Sequence, residues 1–138
     1  MQIDSVKKYL TSSVKTPYFL FISDGQYAVA MDVLSALGLD FVQMSRFCSS
    51  DDKMPDIDGL ITYIQAADVN AKGKKFVVTG LAEFLALRGS DEARRTLSRL
   101  KDLNVGCAKV VLLLRGLASL IAWLQTDPRF DSRRFSVV

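Results

Sequence analysis

Short apolar runs alternate along this chain with longer segments in which apolar residues recur every three or four positions. The runs without an alternating polar position are typical of strands that are covered on both faces, as in a parallel sheet between helices. The predicted strands are Tyr18–Ile22, Phe41–Met44, Phe76–Thr79, Val110–Leu114 and Arg133–Val138. The second is shorter and more polar, which indicates a position near an edge, whereas the fourth is the most apolar and indicates a central strand.

The segments between these strands have the apolar spacing of amphipathic helices. Glycines follow several of them, and Gly38 and Gly80 are expected to turn the chain between a helix and a strand. The predicted helices cover residues 2–14, about Gln26–Leu37, a stretch starting near Ile57, Leu81–Arg88, a stretch that Ser90 caps, and Leu117–Gln125.

This alternation predicts an α/β fold: a three-layer Rossmann-like sandwich with a mostly parallel sheet of about five strands. The pattern resembles a degenerate P-loop or flavodoxin-like fold, and both a flavodoxin-like and a RecA-like strand order fit it. The unit from Phe76 to Gly89, a buried strand followed by a glycine turn and a compact helix, is the centre of the pattern.

Length and composition fit one domain over residues 1–138, with 49% hydrophobic and 24% charged residues. No apolar run reaches the roughly 18 residues of a membrane-spanning helix, and the N-terminus has no apolar signal region. We therefore expect a cytoplasmic protein without a membrane partner. Because the chain ends inside its fifth predicted strand, we interpret it as an N-terminal fragment of a longer protein.

Histidine is absent from the chain, and this excludes several kinds of site. Ser-His-Asp and Cys-His catalysis both need an imidazole, and most zinc sites need histidine or more than the two cysteines present. Cys48 and Cys107 flank apolar runs and are interpreted as reduced buried thiols. We expect no metal and no cofactor.

The carboxyl ends of parallel strands are where open α/β sheets bind ligands. Here these positions hold Ser23, Asp24 and Gly25, then Thr79, then Arg115. A P-loop would need G-x-x-x-x-G-K-[ST] after the first strand, but the turn reads SDGQYA, and a threonine stands where the third strand should end in an acid. The sequence favours structural turns without catalytic residues, and a degenerate nucleotide site using these five residues is the alternative.

Alternative nucleotide and phosphate chemistries lack their residues as well. No G-x-G-x-x-G follows a strand, which removes the dinucleotide fingerprint. Asp24 stands alone where a receiver domain would have paired acids. Glu83 follows Thr79 by four residues, and we interpret it as an acid that the helix dipole favours in a first turn.

Six arginines form the other candidate site, for nucleic acid or an acidic partner. Acidic residues are interleaved with them, so locally satisfied surface pairs are the favoured interpretation. The net charge of +3 and a pI near 8.9 permit such a partner without requiring one. The six are Arg94, Arg95, Arg99, Arg129, Arg133 and Arg134. On the fifth predicted helix, Lys101 is expected to point outward together with Arg94, Arg95 and Arg99.

Three segments taken together resemble a known family. FVVTGLAEFLALRGSDEA, KVVLLLRG and TDPRFDSRRF are similar to the N-terminal region of some PglZ-type proteins of bacterial BREX phage-defence systems. In those proteins a small α/β domain precedes a large alkaline-phosphatase-like domain, which carries the catalytic residues. The resemblance implies a non-catalytic interaction or scaffold domain. Its partners would be other defence-system proteins or downstream domains of the same chain.

Overall fold

A computed structural model describes residues 4–47, 57–70, 74–87, 89–106, 108–116, 119–128, 130 and 133–138. Within these residues the chain forms five strands and six α-helices, with short 3₁₀ turns at Asp24–Gln26 and Met44–Phe47. The strands are β1 (Tyr18–Ile22), β2 (Asp40–Gln43), β3 (Lys75–Thr79), β4 (Lys109–Arg115) and β5 (Phe135–Val137). The helices are α1 (Asp4–Leu10), α2 (Tyr27–Ala36), α3 (Ile57–Asn70), α4 (Leu81–Ala86), α5 (Ser90–Lys101) and α6 (Ser119–Leu124).

All five strands are parallel and form one sheet in the order β2-β3-β4-β1-β5. The predicted α/β class is therefore confirmed, with β2 at an edge and β4 in the centre. Of the two strand orders that the sequence left open, the sheet has the RecA-like one. A flavodoxin-like order would place β1 between β2 and β3, whereas here β1 lies between β4 and β5.

The sheet is covered on both faces, and successive residues of each strand point to opposite faces. Phe19 and Phe21 belong to one hydrophobic core, together with buried residues of α3, α4, α5 and α6. Leu20 belongs to a second core on the other face, together with buried residues of α1 and α2. Both cores are built from continuous apolar strands, which explains why the strand sequences show no alternation of polar and apolar residues.

The helix distribution creates a switch point between β1 and β4. The helix that follows β1 packs on one face of the sheet, and the helix that follows β4 packs on the other. Right-handed crossovers require this arrangement, because the chain moves across the sheet in opposite directions after the two strands. In open α/β sheets, the crevice at such a point is the usual ligand site.

Two predicted glycine turns are confirmed, and one predicted helix cap is wrong. Gly38 and Gly80 have φ of +78° and +79°, in the left-handed region that favours glycine. Gly80 connects β3 to α4 without an intervening loop. Ser90 was the expected N-cap of α5, but it is the first helical residue, and the extended Gly89 (φ −66°, ψ 159°) occupies the cap position.

The prediction that Lys101 points outward is wrong, because Lys101 is buried. It follows Leu97 by four residues and therefore falls on the inward face of α5. Its Nζ lies 2.5 Å from Oδ2 of Asp127, which neutralises the charge that the helix face brings inside.

Arg134 is also buried, which corrects its assignment to a basic surface. It immediately precedes β5, and its guanidinium donates a hydrogen bond to the backbone carbonyl of Lys101 and lies over the Phe130 ring. A cation near the last turn of a helix is favoured by the helix dipole, and α5 ends at Lys101.

The first helix packs on the sheet, and polar contacts hold the loop that follows it. The Tyr9 hydroxyl donates to the carbonyl of Thr16 at 2.8 Å and accepts from the amide of Val110 at 3.2 Å. The Lys109 ammonium donates to the carbonyls of Ser12 (2.8 Å) and Val14 (2.6 Å). The amino end of β4 thus anchors residues 11–17.

Candidate functional site

The switch point between β1 and β4 brings together two of the residues predicted from the sequence. Asp24 opens the 3₁₀ turn after β1, and Arg115 is the last residue of β4. The parallel register places Arg115 beside Ile22, and the amide of Gly116 donates to the carbonyl of Ile22 at 3.2 Å. The two strand ends therefore lie side by side, as the ligand site of a doubly wound sheet requires.

Side chains of the protein itself engage the guanidinium of Arg115 in this crevice. Its Nε lies 3.4 Å from Oδ1 of Asp24, and its Nη2 donates to Oε1 of Glu83 at 2.8 Å. The guanidinium also lies over the ring of Tyr27, 4.6 Å from its centroid. We call this set of four residues the Arg115 cluster.

The charge of the Arg115 cluster is wrong for a phosphate. Two carboxylates against one guanidinium leave one net negative charge, and both carboxylates already contact the cation that a phosphate would use. A nucleotide would have to displace Asp24 or Glu83 from Arg115 and would meet their repulsion.

Ser23 and Gly25 lie in the exposed turn beside the cluster, and the amide of Ser23 donates to the carbonyl of Val138 at 3.2 Å. That bond ties the turn to the strand edge next to it. Thr79, the remaining residue of the predicted set, lies instead in a neighbouring cleft.

The cleft lies at the carboxyl ends of β2 and β3, against the first turns of α2 and α4, and has a volume of about 280 Å³. Thr79 is only 5% exposed at its base, and its hydroxyl makes no hydrogen bond to the residues that the structure describes. Glu83 belongs both to the cleft wall and to the Arg115 cluster. The lining residues are Tyr27, Gln43, Met44, Ser45, Thr79, Gly80, Glu83, Phe84 and Leu87.

Sequence reasoning underestimated Glu83 and missed Tyr27, Gln43 and Leu87 as lining residues. Glu83 was interpreted as a first-turn acid, although its distance of one helical turn from Thr79 already placed it near the strand ends. For the other three no sequence signal was available, because their proximity depends on the strand order and on where α2 starts.

The five candidate arginines that the structure describes do not form one surface. Arg99 pairs with Asp58 at 2.6 Å, Arg94 lies over the Trp123 ring at 5.9 Å, and Arg95 is exposed on the same helix. Arg133 lies on the other face of the molecule, lining a cavity of about 240 Å³ beside α1. Arg134 is buried. Arg129, Cys48 and Cys107 lie outside the described residues.

Two tyrosines with raised pKa values lie away from the carboxyl ends of the strands. Burial raises the pKa of Tyr9 to about 12, against the opposing effects of the Val110 amide and of Arg134. Burial also raises the pKa of Tyr18, and the Ser136 and Ser5 hydroxyls oppose that rise. Both tyrosines pack in the core between the sheet and α1. These shifts reflect packing and do not indicate a catalytic acid or base.

The described ranges contain no group of three or more histidine, cysteine or acidic residues placed to hold a metal ion. They also contain no helix with the length and apolar character needed to cross a membrane.

The fold and the site define an α/β protein with a five-stranded parallel sheet whose switch point carries a solvent-exposed cluster of ion pairs between its own side chains. The family model described as "Domain of unknown function (DUF7864)" matches residues 2–138, and the chain belongs to this family. No curated protein and no solved structure matches the chain.

Proposed function

We propose that this chain is a non-catalytic protein-interaction domain. The observation that carries the proposal is the Arg115 cluster: the crevice where folds of this type bind nucleotides contains Asp24 and Glu83, both engaged with the only cation of the cluster. A domain that keeps the sheet and places its own ion-paired carboxylates at the ligand crevice has the properties of a scaffold.

The neighbouring strand ends support the same proposal. Thr79 stands at the end of β3, where a nucleotide hydrolase of this architecture would place an acid for the metal. Glycine-rich backbone that could wrap a phosphate is missing from the turn at Asp24–Gln26, which has one glycine.

Exposed apolar side chains are available for contact with a partner. Leu87 is 72% exposed beside the cleft, and Val29, Phe41 and Val137 are also exposed. Single exposed apolar residues are common on protein surfaces. Leu87 is a candidate contact residue because it also lies at the rim of a cleft.

The proposal extends to the larger protein that contains this domain and to its partners. We propose that the domain belongs to a larger PglZ-type phage-defence protein in the cytoplasm and docks on other defence proteins or on later domains of its own chain. The support is the similarity of the segments from Phe76, Lys109 and Thr126 to such proteins. The full reading frame tests this directly: a phosphatase-like domain downstream is expected, and an unrelated or absent neighbour would contradict the assignment.

The absence of nucleotide binding is tested by calorimetric titration with Mg·ATP, GTP and NAD. We expect no saturable heat with any of them. The variant with Asp24→Asn and Glu83→Gln is the control, because it frees Arg115 while keeping side-chain size. Affinity that appears only in this variant would show that the carboxylates exclude anions, whereas saturable binding to the unaltered protein would refute the proposal in favour of a degenerate nucleotide site.

Nucleic-acid binding through the candidate surface arginines is an alternative function, and it needs its own test. It requires a basic surface and a steep loss of affinity with salt. The burial of Arg134 and the pairing of Arg99 reduce the charge available for it. A gel shift at low salt that disappears as salt rises would favour this alternative.

A further inference from the structure

The cleft at the ends of β2 and β3 has a threonine hydroxyl at its base. Thr79 is 95% buried, its hydroxyl makes no hydrogen bond to the described residues, and it lies at the base of the cleft. The hydroxyl oxygen is not one of the fully buried side-chain atoms that lack a partner, so it reaches the solvent of the cleft and can exchange water for a ligand. The cleft is therefore built with a polar position that an occupant can satisfy.

The other polar groups of the cleft favour a cation. Among the described residues of the lining, Glu83 alone has a formal charge, and the Arg115 cluster to which it belongs has one net negative charge. Thr79 and Gln43 offer side-chain oxygens as further acceptors. A positively charged group with several N–H donors matches this set, and one such charge would neutralise the cluster.

Two of the lining residues, Glu83 and Tyr27, already hold a guanidinium, that of Arg115. Arg115 receives a carboxylate oxygen at 2.8 Å and an aromatic face at 4.6 Å from Glu83 and Tyr27, which also line the cleft. The remaining oxygen of Glu83, Oε2, makes no hydrogen bond within the described part of the chain. It can therefore accept a second donor without releasing Arg115.

The apolar part of the cleft fits the stem of a long side chain. Met44, Phe84 and Leu87 contribute apolar surface, and the volume of about 280 Å³ is at or below the size of sites for free drug-sized ligands. Lysine and arginine bury their methylene stems on such surfaces while their charged ends remain polar. If the cleft bound a small free amine, the side chain of Leu87 at the rim would remain exposed to solvent. If it bound a peptide, the residues flanking the basic side chain would cover Leu87.

We propose that this cleft receives a lysine or arginine side chain of a protein partner, with Glu83 and Thr79 as its recognition residues. This rests on the proposed function as an interaction domain and assigns the chemistry of one contact of the partner. The positive charge belongs to the partner and the negative charge to the domain, opposite to the acidic partner considered for the surface arginines.

The test uses ¹⁵N-labelled protein and pentapeptides that differ only at the central residue. The probe is acetyl-Ala-Leu-Arg-Leu-Ala-amide, with lysine, norleucine and glutamate versions and free agmatine as comparisons. We expect weak, saturable shifts at the amides of Gly80, Glu83 and Leu87 with the arginine and lysine peptides. The norleucine peptide should bind about tenfold more weakly, because it lacks the charged hydrogen bond.

Three variants separate direct recognition from indirect effects. Glu83→Gln should weaken the arginine peptide about tenfold, and Thr79→Val several-fold. Asp24→Asn is the comparison variant: it also removes a carboxylate from Arg115 but does not line the cleft, so it should weaken the arginine peptide only about twofold to threefold, through the lost negative charge, and clearly less than Glu83→Gln.

Several results would overturn the proposal. These are no saturable shift with any basic peptide, equal binding of the norleucine peptide, or an equal loss in Asp24→Asn and Glu83→Gln. Agmatine binding as tightly as the peptide would assign the cleft to a free amine instead of a protein. Failure here with flat nucleotide titrations would remove only this inference, whereas nucleotide binding would remove the interaction domain itself.

Discussion

Two ion pairs on α5 have nearly the same length and very different burial, which makes a quantitative prediction possible. Arg99 lies 2.6 Å from Asp58, with side chains that are 52% and 72% exposed. Lys101 lies 2.5 Å from Asp127, with side chains that are 10% and 16% exposed. The pairs are two residues apart on the same helix, so helix propensity and distance are closely matched.

Replacing either cation by methionine should therefore show the effect of burial on an ion pair. An exposed pair contributes about 0–1 kcal/mol, because water competes with it. Removing one member of a fully buried pair costs about 3–5 kcal/mol, since the other charge loses both water and partner. Asp127 keeps slight exposure and further contacts, so we expect Lys101→Met to cost roughly 2–3 kcal/mol and Arg99→Met less than about 1 kcal/mol.

Urea unfolding followed by fluorescence or circular dichroism measures both variants. The midpoint should fall with little change in the slope, as expected when only stability changes. Adding Asp127→Asn to Lys101→Met should recover at least half of the loss, because no unpaired charge then remains. Losses within about 0.5 kcal/mol of each other for Lys101→Met and Arg99→Met would refute the reasoning, because exposure would then not set the strength of these pairs.

Three further predictions concern the packing of α1 against the sheet. The pKa of Tyr9 is about 12 in the folded protein and 10.0 as its ordinary value, so its stabilising effect is complete below pH 10 and is lost as pH rises towards 12. We expect the free energy of unfolding to fall by roughly 2–3 kcal/mol over that interval relative to Tyr9→Phe, and equal alkaline slopes in denaturant titrations would contradict this. Tyr18→Phe should change neutral-pH stability little by calorimetry, because the buried hydroxyl it removes lies near the Ser5 and Ser136 hydroxyls but makes no hydrogen bond of ordinary geometry; a large loss would show that one of these serines is a true partner. Lys109→Met should lower stability by about 1–3 kcal/mol and increase amide exchange in residues 11–17, since two carbonyls lose a charged donor; unchanged exchange would show that the loop is held by other contacts.

The elements of the fold could be predicted from the sequence where one local signal decides them. Tyr18–Ile22 was predicted with its observed bounds because a short continuous run of apolar, strand-forming residues is typical of a strand covered on both faces. Gly80 was predicted to turn the chain because a strand and a helix with no loop between them need a residue that tolerates positive φ. Edge and centre positions followed from how apolar each strand is.

The candidate site could be predicted only in part, because it depends on contacts between distant residues. Asp24, Thr79 and Arg115 were identified as strand-end residues, but their partners depend on β4 lying beside β1, and two strand orders fitted the sequence. The burial of Lys101 depends on Asp127, 26 residues away, and a lysine on an apolar stripe gives no local sign of such a partner. The periodicity of apolar residues in the sequence therefore indicates the fold. The ion pairs of Arg115 and Lys101 become visible only in the structure.

The central claim is that the switch point of this sheet holds the protein's own ion pairs in place of a nucleotide. Native mass spectrometry of the protein purified without added nucleotide tests it most directly. We predict a mass equal to that of the polypeptide alone, because Asp24 and Glu83 engage Arg115 and repel phosphate. A stoichiometric mass increase that matches a nucleotide, and that Arg115→Met abolishes, would contradict the account.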